Sequence, residues 1–83
     1  MRNQPYPQYA ESLLSIVRDP NEVEKARVQC AEVLGWYVRA WNRKEIVDGI
    51  EAYLKSGEEM PEALRNELVK TRNRLEDYLR LGN

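Results

Sequence analysis

Apolar residues recur along this chain every three or four positions in four separate blocks, and no stretch alternates with period two. That spacing predicts helices with one buried stripe each and argues against a sheet. The first block runs from about Pro7 to Arg18 and carries Ala10, Leu13, Leu14, Ile16 and Val17. Proline suits its first turn. Asp19-Pro20 ends it, because the residue before a proline is pushed away from helical angles. Asn21 then reads as an N-cap, with Glu24 three residues on as its capping-box partner. The second block places Val23, Ala26, Cys30, Val33, Leu34, Tyr37 and Trp41 on one broad stripe, with Gly35 inside it. A mid-helix glycine costs about 1 kcal/mol, so it predicts either a close helix crossing or a bend.

Asn42 followed by Glu45 repeats the cap signature and opens a third helix bearing Ile46, Val47, Ile50, Tyr53 and Leu54. Ser56-Gly57 ends it, since glycine supplies a left-handed terminal conformation. Pro61 opens a fourth helix, whose stripe is Leu64, Leu68, Thr71, Leu75 and Tyr78 and whose end is Gly82. The prediction is all-α: two antiparallel helical hairpins, four helices in all. Residues 1–6 form a loose polar lead, and residues 7–82 form a single domain. At 83 residues the chain buries only about 60–65% of its unfolded surface, so modest stability is expected.

Sliding the chain by thirty-eight positions puts Arg27 on Arg65, Cys30 on Leu68, Val33 on Thr71 and Ile16 on Leu54. A period near 40 is that of two-helix solenoid repeats. The segment Asp19-Pro20, Arg27-x-x-Cys30-x-x-Val33-Leu34-Gly35 resembles the HEAT-repeat signature. The resemblance implies a HEAT-like α-α repeat stack, with a first repeat over about 8–41 and a second over about 42–80. It also implies structural roles between repeats for Asp19, Arg27 and, in the second half, Arg65. Gly57 and Glu58 stand where Asp-Pro would be, and Arg72-Asn73 replaces Leu-Gly. Such drift suits a terminal capping repeat with a polar outer face.

Composition narrows the chemistry. Thirteen basic and fourteen acidic residues leave a net charge of −1, which gives no general attraction for nucleic acid or anionic membrane. Apolar runs never reach signal-peptide or membrane-spanning length, so the cytoplasm is the expected compartment. The chain has no histidine, which removes the commonest general base and most zinc sites. Cys30 stands alone, without a disulfide partner, and on an apolar helix face it reads as a small buried hydrophobe. The four glycines are too scattered for a phosphate loop. Neighbouring carboxylates such as Glu58 and Glu59 belong to dipole and solvation chemistry at the start of the fourth helix. Neither an enzyme nor a bound cofactor, metal or small-molecule substrate is expected.

The one local anomaly is residues 36–44, which hold three aromatics and three cations at the junction of the hairpins. Trp36, Arg39, Trp41, Arg43 and Lys44 are the candidate partner-binding residues, because exposed Trp and Arg dominate interface hot spots. The competing reading has Tyr37 and Trp41 filling the core between hairpins, with Trp36 partly exposed. Ala31-x-x-Leu34-Gly35 also resembles a helix-turn-helix, which would make residues 31–47 a DNA-binding unit. The favoured expectation is a non-catalytic interaction or scaffold module. Two hairpins fall short of the three repeats a solenoid normally needs, so an end face calls for a protein partner, a second copy in a homodimer, or further repeats.

Overall fold

The computed structural model describes residues 7–81, and every regular element among them is helical. A 3-10 turn at Pro7–Tyr9 leads into α1, Ala10–Arg18, followed by α2, Glu24–Leu34. A second 3-10 turn at Tyr37–Arg39 precedes α3, Arg43–Leu54, and α4, Glu62–Leu81. The expected lead over 1–6 and the closing Gly82 lie outside the described residues.

Helix α1 packs along α2, α2 along α4 and α4 along α3, while α1 also touches α3. Leu14 lies 3.3 Å from the point where Gly49 would carry a Cβ, and Ala10 shares a groove with Ile46. α1 and α3 therefore run in the same direction. On the other side Arg27 and Arg65 border one groove, and Thr71 meets Ala31, so α2 and α4 are also parallel. Two antiparallel hairpins thus stack side by side, in two helix layers across a short dimension of 17 Å. Between the layers Val17, Ala31, Leu34, Ile50, Leu64, Leu68 and Leu75 are fully enclosed.

The turn after α1 uses more chain than a simple cap would. Asp19 Oδ1 accepts the Asn21 N–H at 2.9 Å, and the Asp19 carbonyl accepts the Glu22 N–H at 3.1 Å. Asp19-Pro20-Asn21-Glu22 is a closed turn with proline at its second position, which fixes φ favourably. Asn21 consequently is not the N-cap. That place belongs to Val23, extended at φ −65 and ψ 142, with no side-chain cap. Asn42 does stand at the N-cap of α3, again without a side-chain cap bond. Gly57 carries the left-handed φ of +83 expected after α3, and Ser56 Oγ donates to the Tyr53 carbonyl at 2.7 Å.

The second helix departs most from the sequence pattern. It ends at Leu34 instead of continuing to Trp41. The ladder tightens there: the Gly35 N–H bonds Glu32 and the Trp36 N–H bonds Val33, both three residues back. A regular α-helix would have given the Gly35 N–H to Ala31. The Thr71 hydroxyl takes its place, donating to the Ala31 carbonyl at 2.8 Å inside the α2–α4 contact. Gly35 keeps a right-handed φ of −68, so its smallness serves the close approach: a Cβ would lie 3.4 Å from Thr71 Oγ1.

Helix α2 is also rotated from the expected face. It buries Arg27, Ala31 and Leu34, while Val23 is 68% and Val33 36% exposed. Ala26 and Cys30 are only half-buried. Arg27 is the reason. Its Nε donates to the Val17 carbonyl at 2.9 Å and one terminal nitrogen to the Tyr53 hydroxyl at 2.8 Å. The side chain thereby ties the end of α1 to the end of α3, which links the two hairpins.

Two sets of measurements check these ties. Arg27→Ala opens a cavity and strands two buried acceptors, and should cost about 3 kcal/mol or more in urea unfolding followed by circular dichroism. Tyr53→Phe should cost about 1.5–3 kcal/mol, and the double variant should cost about 1 kcal/mol less than the sum. Additive losses would show that the 27–53 bond carries no coupling. Thr71→Val keeps the shape but leaves the Ala31 carbonyl without this donor, so a loss of about 1–3 kcal/mol is expected by the same assay.

Candidate interaction surfaces

Segment 35–42 exposes its side chains in a divided pattern. Tyr37 turns inward at 2% exposure, and Val38 and Ala40 pack beside the core. Trp36, Arg39 and Trp41 then point outward, with the tryptophans 57% and 78% exposed. Trp41 is therefore not core, either of α2 or between the hairpins. Burial, followed by the nearby Tyr9, pushes the Tyr37 hydroxyl above its ordinary pKa.

The five predicted partner-binding residues do not form one cluster. Trp36 borders a groove on the outer side of α2 with Ala26, Cys30 and Val33. Trp41 borders another, between the start of α1 and the start of α3, with Glu11 and Glu45. Arg43 is half-buried and donates to the Val38 carbonyl, which ties the connection to α3. Lys44 pairs with Asp48 at 3.3 Å, both largely exposed, an arrangement worth little in water. Arg39 is exposed. Of the three residues expected between repeats, Arg27 bridges hairpins, Asp19 serves its own turn, and Arg65 is exposed beside Glu58 and Glu59.

Helix α2 exposes apolar residues that its sequence pattern places in the core. Val23, Ala26, Cys30 and Val33 follow a helical stripe along α2, and Trp36 extends it past the helix end. At about 100° per residue, Ala26 and Val33 lie about 140–180° round the helix from Ala31 and Gly35, which face α4, with Cys30 at the nearer edge of the stripe, about 100° from Ala31. The stripe is thus the end face of the stack. A signal for it existed: α2 also carries Val28, Ala31 and Leu34, so its apolar residues spread well beyond one stripe, and such a helix calls for neighbours on more than one side.

The chemistry available here is that of contact. No three His, Cys, Asp or Glu side chains stand together as a metal site among the described residues. No helix among them is long and apolar enough to cross a membrane. Residues 35–42 separate α2 from α3, whereas a helix-turn-helix joins its helices through three or four. The turn required by the DNA-binding reading is absent from that connection. The chain matches no protein-family model, no curated protein and no solved structure.

Cys30 offers a probe of the stripe. Burial pushes its thiol above the ordinary value, and the neighbouring Glu22 carboxylate raises it further. Both effects favour the neutral thiol, so at pH 8 alkylation by iodoacetamide should be slower than for free cysteine. The rate should climb with pH through an inflection above the free-thiol value, and Glu22→Gln should lower that inflection. A reactive thiolate at neutral pH would contradict this environment.

Proposed function

We propose that this chain is a non-catalytic protein-interaction module, built as two stacked helical hairpins that resemble HEAT repeats, with the outer side of α2 as its docking face. The observation that carries the reading is the open stripe of Ala26, Cys30, Val33 and Trp36. The thirty-eight-residue offset supports it. Under that offset Cys30 and Val33 correspond to Leu68 and Thr71, both buried on α4, where Thr71 faces α2. The same positions on α2 would face a preceding layer. An apolar helix face with a partly exposed tryptophan at its edge is the composition of an interface centre. The Asp19-Pro20 turn and the bridging role of Arg27 agree with the same architecture.

The test is site-specific photo-cross-linking in the native cell. A benzophenone amino acid at position 33 should capture protein, while the same probe at the exposed Ser15 on α1 should capture far less. Failure to capture any protein from position 33 would overturn the reading.

A further inference from the structure

We infer that the occupant of the α2 face is a second copy of this chain, docked about a twofold axis with the two α2 helices antiparallel. This rests on the interaction-module reading and names its partner. The first observation is that the stack is open at one end only. Under the same offset, the positions by which α2 meets α4 (Ala31, Leu34 and Gly35) fall on Val69, Arg72 and Asn73 at the far side of α4. Asn73 is exposed, and Arg72 is engaged with Glu51 at 3.7 Å. Val69 is half-buried, so that end is mostly polar and offers little apolar surface to the stripe. Head-to-tail stacking of copies is thereby disfavoured, and open face against open face is the arrangement that covers the stripe.

The second observation is charge. Lys25 and Glu32 are both exposed and, seven residues apart, lie on the same flank of the stripe, about 20° from one another round the helix. At that spacing, about 10 Å along the axis, they do not reach each other. A twofold axis perpendicular to α2 sets this flank against the same flank of the partner. With Gln29 on the axis, each Lys25 stands within about 1.5 Å, measured along the helix, of the level of the opposite Glu32. Two ion pairs then line one edge of the apolar strip, as flanking charges do in antiparallel helix pairs. Parallel α2 helices would not bring this flank against itself. Lys70 and Arg74 of α4 border the same Glu32, so the flank also holds cations of its own chain.

An interface resting on one eleven-residue helix is at the small end for specific association, so a weak, concentration-dependent dimer is expected. Sedimentation equilibrium of the full chain over a concentration series tests it, with far-UV circular dichroism confirming that each variant is folded. The wild-type mass should rise toward twice that of the chain, and Val33→Asp should hold it at one. Lys25→Glu or Glu32→Lys alone turns two attractive pairs into repulsive ones, and should weaken the dimer about tenfold. The double exchange K25E/E32K restores opposite charges and should recover most of the affinity. A wild type that stays monomeric, a dimer that survives Val33→Asp, or a double variant as weak as the singles would each overturn the inference. Photo-capture of a different protein from position 33 by a monomeric wild type would overturn it while leaving the module reading intact.

Discussion

A single buried cation organises this fold. Arg27 is 4% exposed, and a desolvated guanidinium costs several kcal/mol unless its donors are met. Two of its five donors are met by the Val17 carbonyl and the Tyr53 hydroxyl, neither of them charged. Val17 lies in the last turn of α1, where the helix dipole is negative, so the field of α1 does part of what a carboxylate would do. The bond to Tyr53 reaches the other hairpin. One side chain therefore fixes the rotation of α2 about its own axis and the alignment of α1 with α3.

That rotation has a consequence on the opposite side of α2. Turning the line of Arg27, Ala31 and Leu34 inward carries Ala26, Cys30 and Val33 outward. The contact with α4 locks the same choice, because Thr71 bonds the Ala31 carbonyl released where α2 tightens. Neither interaction leaves freedom to bury the outer stripe within one chain. The exposed apolar face is thus a by-product of how the hairpins are held together, and its cost falls wherever the protein finds cover for it.

Much of the fold was legible in the letters. The four helical blocks, the stop at Asp19-Pro20, the Asn42 position before α3, the left-handed Gly57 and the Leu64, Leu68, Thr71, Leu75 stripe all follow from spacing and local backbone chemistry. What failed was the orientation of α2 and its extent past Gly35. Periodicity ranks faces by hydrophobicity and sets an arginine outside, whereas the partners of Arg27 lie 10 and 26 positions away. A long-range hydrogen bond leaves no local trace. The end of α2 failed similarly, because the donor that replaces the lost ladder bond comes from Thr71, forty positions on.

The candidate site was half legible for the same reason. Trp36, a candidate partner-binding residue by its sequence, lies exposed at the surface. Yet it was grouped with Trp41 by nearness in sequence, while the inward turn at Tyr37 sends the two tryptophans to different grooves. The neighbours of Trp36 in the structure are Cys30 and Val33, which the helical periodicity places on the core face of α2. The two halves of the chain bear on this directly. Leu68 and Thr71 are buried on α4, with Thr71 against α2, whereas thirty-eight positions earlier Cys30 is only half-covered by the core and Val33 is exposed. Their apolar character is what the second half needs at those positions. On α2 the core covers Cys30 only in part and leaves Val33 exposed, and that mismatch is the physical ground for looking beyond one copy to explain the sequence.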